Sequence, residues 1–276
     1  MIVSPFTPLF FIGRKSDGIP CGYVQTFAVT DRILLQVLAP LRDEVVAYVY
    51  TEPDGKLLFR INFNGCVINN ETCLWFASLS LAPGCYSVKI VGVGQCEPFR
   101  VTDDPRELAS TTLIQYSMKD NRQRTDAVFV INGMRYFFDF RVPGGFKDSN
   151  WTFGVESEQF VTPKADIAQL YGLESVQKRF TLGRSEGVPV WFGEMLNRIL
   201  VCSHVYFDGV KYCREEGNVP EMTVLQEGVD SFVFNQTLRQ SVGLDPLIEQ
   251  SNHVALRRVD DSKYRLGTDS INRRIY

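Results

Sequence analysis

Over the first hundred residues apolar and polar positions alternate in short runs, and turn-forming residues separate the runs. Phe27–Thr30 and Ile33–Val37 come first. Val45–Tyr50 and Lys56–Phe59 then flank Glu52-Pro53-Asp54-Gly55. Proline presets φ there and glycine supplies a positive φ, so the segment predicts a hairpin. Leu74–Phe76 follows, then a turn at Ala82-Pro83-Gly84, then the alternating run Cys85–Val91. Strands at this spacing predict a small antiparallel β-sandwich over residues 1–98.

The pattern from residue 99 to 250 predicts a second β-rich domain. Leu113–Ser117 reads as a strand, and Asp120–Arg124 as a polar connection. Ala127–Ile131 and Met134–Phe140 flank Asn132-Gly133, a pair that tolerates the two positive φ values of a type I′ turn. Pro143-Gly144-Gly145 is expected to end that hairpin. A second hairpin is expected at His204–Phe207, Asp208-Gly209 and Val210–Cys213, and a last strand at Phe232–Leu238. The period changes once. Trp191, Met195 and Ile199, with Phe192, Leu196 and Leu200, recur at helical spacing and predict a helix over 189–201. Pro189 fits its first position, where a missing N–H costs nothing. Lys164–Gly172 is a weaker helix candidate.

The last stretch has no sustained period. From Ser251 to Tyr276 six basic and three acidic residues give +3, so the remainder carries −6 of the net −3. The stretch 251–276 reads either as a solvated terminus or as an extended C-terminal arm that orders on an acidic neighbouring subunit, with Arg257, Arg258, Lys263, Arg265, Arg273, Arg274 and Tyr276 at the contact. The fold class expected is mainly β: an N-terminal antiparallel β-sandwich, a second β-rich domain with one main α-helix, and this arm.

Composition narrows function mainly by exclusion. The near-neutral balance lacks the basic excess of a nucleic-acid coat. No apolar run approaches the ~18 residues needed to span a bilayer. The start, interrupted by Pro5 and Pro8, does not resemble a secretory leader, and the chain is expected to stay in the cytoplasm. Seven cysteines, none spaced C-x-x-C, read as reduced thiols.

Three arrangements resemble catalytic or metal chemistry. Gly183-Arg184-Ser185-Glu186-Gly187 matches G-x-S-x-G, the string that exposes a hydrolase serine on a tight turn before a helix. The helix begins too late, however, and only His204 and His253 could act as base. Cys202, His204, Cys213 and Glu215 could hold zinc only if strand alternation put them on one face. Asp139, Glu156 and Glu158 define a glycosidase pair only through their separation. No catalytic residue, cofactor or metal is expected. Trp75 or Trp151, if exposed, would suit stacking on a sugar, which makes a carbohydrate-binding module the second reading.

The run Gly187-Val188-Pro189-Val190-Trp191-Phe192, with Leu196–Leu200, Cys202 and His204–Tyr212, resembles tail-associated virion proteins of tailed bacteriophages of Bacteroidetes, including crAss-like phages. Glu97–Val101 and the Asn132-Gly133 hairpin fit the same resemblance, which covers residues 97–241. It implies a structural virion protein of a tail or neck ring (hub, adaptor or distal tail) assembled in the host cytoplasm. Its partners would be further copies of itself and other virion tail or neck proteins, with a possible glycan contact. It implies no membrane, no sequence-specific nucleic acid and no active site.

Overall fold

The computed structural model describes residues 1–11, 19–161, 167–215 and 220–241. The expected C-terminal arm, with Arg257, Arg258, Lys263, Arg265, Arg273, Arg274 and Tyr276, lies outside the described residues.

The described residues of the first half form eleven strands. They are β1 (Ile2–Val3), β2 (Ile19–Pro20), β3 (Gln25–Ala28), β4 (Ile33–Pro40), β5 (Ala47–Thr51) and β6 (Lys56–Arg60). β7 (Asn64–Val67), β8 (Thr72–Leu79), β9 (Gly84–Ile90), β10 (Gly94–Gln95) and β11 (Phe99–Thr102) follow. One sheet has the order β1-β4-β8-β7 and the other β3-β11-β9-β5-β6, with β10 beside β9. All pairs in the two sheets are antiparallel except β3 with β11. This is the strand order of an immunoglobulin-like sandwich, A-B-E-D facing A′-G-F-C-C′.

Phe27, Leu35, Val37, Val49, Val88 and Phe99 lie in the core between the sheets. At the corner before β9, the Tyr86 hydroxyl donates to the Ala82 carbonyl at 3.0 Å. Gly84 makes this possible, because a Cβ there would lie 2.9 Å from the Tyr86 hydroxyl oxygen. The contact is a tyrosine corner, which locks the crossing between sheets. Tyr86→Phe should therefore lower stability by about 1–2 kcal/mol, the worth of a hydrogen bond whose acceptor is left unmet. An unchanged urea midpoint would show that the corner contributes nothing.

The second half opens with a short helix, α1 (Pro105–Leu108), capped by the Asp104 carboxylate on the Arg106 N–H. The strands are β12 (Thr111–Ser117), β13 (Val130–Ile131), β14 (Met134–Arg135), β15 (Phe138–Val161) and β16 (Ile167–Leu182). Helix α2 (Val190–Ile199) comes next, then β17 (His204–Phe207), β18 (Val210–Arg214), β19 (Glu221–Val224), β20 (Val229–Asp230) and β21 (Phe232–Gln240). Antiparallel pairing runs β16-β15-β12-β17-β18-β21 and returns from β21 to β16, which closes a six-stranded barrel. Closure removes the open edges that a sheet would otherwise expose.

Helix α2 packs Phe192, Met195, Leu196 and Ile199 into the barrel's core cluster, the face expected from the spacing. Pro189 is its N-cap rather than its first helical residue, with an extended ψ of 154°. Both predicted hairpin turns form. Asn132 and Gly133 have φ 52° and 77°, and Asp208 and Gly209 have 47° and 86°. The first hairpin is shorter than expected, however, pairing only Val130–Ile131 with Met134–Arg135 before the chain turns into β15.

Two expectations are corrected. Pro143-Gly144-Gly145 does not end a strand, since β15 runs through it. The described part of Lys164–Gly172 is not helical, since Ile167 begins the long strand β16. The physical reason is a change of partner. Pro143, which has no N–H for the ladder, stands opposite Thr111, the last pair made with β12. At Gly144 pairing passes to β16, and the two strands continue together beyond the barrel.

Candidate interaction surface

Two features stand out: a polar seam that fixes the sandwich to the barrel, and a ribbon that leaves the barrel. Both follow from strand alternation. In β15, Phe138, Phe140 and Val142 point into the barrel cluster, so Asp139 and Arg141 point to the opposite face, toward the sandwich. In β12, Gln115 stands opposite Asp139 and donates to its Oδ1 at 2.8 Å. Oδ2 of Asp139 accepts the Arg32 backbone N–H, also at 2.8 Å. Arg141 forms a bidentate pair with Asp31 at 2.6 and 2.8 Å, and its third nitrogen donates to the Thr111 hydroxyl. Asp31 also accepts the Ala28 N–H at 2.7 Å. Burial alone would lower the Arg141 pKa, but the hydrogen bonds and charge of Asp31 outweigh it and raise the value.

Strand β4 closes the seam from the sandwich side. Ile33, Leu35, Val37 and Ala39 face the sandwich core, while Leu34, Gln36 and Leu38 face the second half. Its apolar run is nearly continuous for that reason: both faces are covered. Gln36 is fully buried and holds the Val128 backbone on both sides, donating to its carbonyl at 2.6 Å and accepting its N–H at 3.2 Å. The N-terminal segment crosses the same boundary. Phe6 packs in the barrel cluster, Tyr116 donates to the Phe6 carbonyl, and Arg198 donates to the Pro5 carbonyl. Asp31, Arg32, Ser78, Tyr136 and Asp139 also line a cleft of about 540 Å³ beside the seam.

The ribbon is the part of β15 and β16 that, among the described residues, pairs with no other strand. β12 leaves β15 at Pro143, and β21 leaves β16 at Val176. Residues 151–161 and 167–175 continue as a two-stranded antiparallel hairpin stem, roughly 35 Å long at about 3.3 Å per residue. Phe153 and Val155 share one face and are 72% and 67% exposed. Phe160, Val161 and Ile167 are exposed toward the far end, and Val161 stands directly opposite Ile167. At the base, Phe146 stacks on Tyr212 with centroids 4.7 Å apart and meets Phe180 and Phe207 edge-on. That aromatic group anchors the ribbon in the barrel core.

No family model matches this chain, and no curated protein does. Among solved structures, the complex of Dpr2 Ig1–Ig2 with DIP-Theta Ig1–Ig3 is similar at 9% identity. The likeness covers 81% of this chain and 90% of that chain, with a TM-score of 0.17. It is too distant to carry an argument; the sandwich's own strand order defines its fold.

The residues singled out for chemistry are dispersed. Ser185 is exposed in the loop before α2, on a shallow hollow lined by Tyr23, Arg100, Glu107, Ser110 and Arg184, with no histidine in the lining. His204 lies on β17 beside the Phe137 ring, and His253 is outside the described residues. Cys202 is buried in the barrel cluster, between α2 and β17, whereas Cys213 is exposed on β18, so the set does not share one face. Among the described residues, no three His, Cys, Asp or Glu side chains gather at one point. Asp139 is buried in the seam, while Glu156 and Glu158 lie out on the ribbon. All seven cysteines are free thiols, and burial pushes Cys96 and Cys202 up to about 12. Trp75 packs against the sandwich core with Gly65 under its ring, which removes it as a sugar platform.

The ribbon and the seam are what sequence reasoning missed. Alternation at Trp151, Phe153 and Val155 was a legible signal for the ribbon. No local signal marked Asp31 and Arg141 as partners, 110 residues apart.

Proposed function

We propose that this chain is a structural subunit of a ring in the tail or neck of a bacteriophage, working through contacts between copies and with other virion proteins. The observation that carries the reading is the projecting ribbon. A lone two-stranded hairpin is marginal in water, so a ribbon exposing Phe153, Val155, Phe160 and Val161 is best accounted for by a partner surface. Full burial of each such side chain is worth about 1.5–3 kcal/mol. Its strands continue those of a closed barrel, and the seam fixes the barrel to the sandwich. The ribbon thus stands at the same place on every copy, as a ring of repeated identical contacts requires. The resemblance of residues 187–212 to tail-associated virion proteins supports the same reading.

Native mass by light scattering, at several concentrations, tests it. The full chain should form a large oligomer of defined mass. A variant with Phe153–Val176 replaced by Asn-Gly should be monomeric with its unfolding midpoint kept, since Thr152 and Gln177 already stand opposite each other. A chain ending at residue 250 should assemble poorly and with weaker salt dependence, having lost the basic arm. A monomeric full chain, or a ribbonless variant that assembles as well as the full chain, would refute the proposal.

A further inference from the structure

The cleft beside the seam lies where sandwich and barrel meet, the kind of junction that small-molecule sites favour. The turn between β3 and β4 and the end of β8 form one wall, and β14 with the start of β15 forms the other. Its volume of about 540 Å³ suits a ligand of one or two rings. The two carboxylates in the lining are already engaged. Asp31 is held by Arg141, Asp139 by Gln115 and the Arg32 N–H, and they are only 6% and 1% exposed. The accessible charge is therefore the half-buried Arg32 guanidinium. It lies over the Tyr136 ring, 5.3 Å from the centroid, and Phe76 holds that ring edge-on at 5.6 Å. Nε of Arg32 donates to the Ser78 hydroxyl at 3.4 Å, and among the described residues its two terminal nitrogens have no acceptor. A guanidinium held by stacking presents its fork to a carboxylate with little further ordering. Arg135 adds a second, buried positive charge and donates to the Lys119 carbonyl at 3.3 Å.

The rest of the lining narrows the ligand. Thr30, Ser78 and Ser80 contribute exposed hydroxyls, each able to donate and accept. Val29 and Met134, 37% and 42% exposed, add apolar surface to the same walls. A sugar ring has hydroxyls at its rim and C–H groups on its faces, and a uronic sugar carries a carboxylate as well. We propose that the cleft binds a uronic sugar, its carboxylate on Arg32 and its hydroxyls on Thr30, Ser78 and Ser80. An acidic peptide would also offer a carboxylate, but three hydroxyl side chains suit a ligand that is itself rich in hydroxyls. A single copy holds the whole site, so the inference stands apart from the ring reading.

Isothermal titration calorimetry on the full chain tests it, with every segment able to reach the cleft present. Glucuronate should bind roughly tenfold more tightly than glucose or glutamate, the worth of a charge-assisted hydrogen bond. Arg32→Gln removes the fork and keeps the backbone N–H on Asp139. It should weaken glucuronate roughly tenfold and leave glucose unchanged, and Arg32→Lys should fall between. Ser78→Ala, at an exposed position, should weaken glucuronate by about threefold. Circular dichroism confirms the fold of each variant. A full chain that does not bind glucuronate, or Arg32→Gln binding it as the wild type does, would overturn the inference. Glutamate binding as tightly as glucuronate would overturn the sugar in favour of an acidic peptide.

Discussion

Replacing Arg141 with alanine is expected to destabilise the protein by about 3–5 kcal/mol, the largest effect of any single polar substitution we anticipate. Asp31 is 6% exposed and its carboxylate is held by both Arg141 nitrogens and the Ala28 N–H. Removing the guanidinium leaves a buried negative charge with one backbone donor. That loss exceeds the worth of the pair itself, because ion pairs taken out of water gain little over apolar replacements, whereas a stranded charge is costly. Arg141→Lys should fall between, at about 1–2 kcal/mol, since an ammonium cannot reproduce the fork. In a double-mutant cycle, Asp31→Ala with Arg141→Ala should cost less than the sum of the singles. Guanidinium denaturation reads all three. An Arg141→Ala midpoint close to wild type would mean that the seam is dispensable. The structural consequence is separate from stability: the seam sets the sandwich against the barrel from which the ribbon extends.

Gly144→Ala is expected to cost about 3 kcal/mol and to disturb assembly as well as stability. Gly144 has φ 137°, a conformation that L side chains rarely adopt, and a Cβ there would lie 2.1 Å from the Thr181 carbonyl oxygen. The obstacle is backbone, so no side-chain rotation relieves it. Either β15 and β16 part at this point or the residue abandons its conformation. Both break the pairing of Gly144 with Leu182, where the strands pass from barrel to ribbon. Gly145→Ala is the control. Its added Cβ would meet only the Thr112 hydroxyl at 3.7 Å, an ordinary contact, and the change should be nearly neutral. Thermal unfolding with light scattering separates the two, and equal midpoints for the two variants would dispose of the strained-junction account.

The sequence by itself determined the local elements. Short alternating runs became the strands of the sandwich, Asn132-Gly133 and Asp208-Gly209 became turns with paired positive φ, and the single change to helical spacing became α2. These follow from period and turn chemistry, which act over a few residues. The near-continuous apolar run of β4 also announced itself as a strand, though not that its two faces serve two different cores.

The tertiary structure decided what happens where partners change. Pro143-Gly144-Gly145 is turn-like in isolation, yet it lies inside β15, because the missing N–H falls at the end of one ladder and the glycine fits the start of the next. Ile167–Gly172 has apolar spacing compatible with a helix, yet pairing with β15 holds it extended; cross-strand hydrogen bonds outweigh a weak local preference. Barrel closure through β16 and β21 and the salt bridge between Asp31 and Arg141 both join distant segments. Local sequence specifies which way a side chain points along a strand. Only the assembled fold specifies what it then meets.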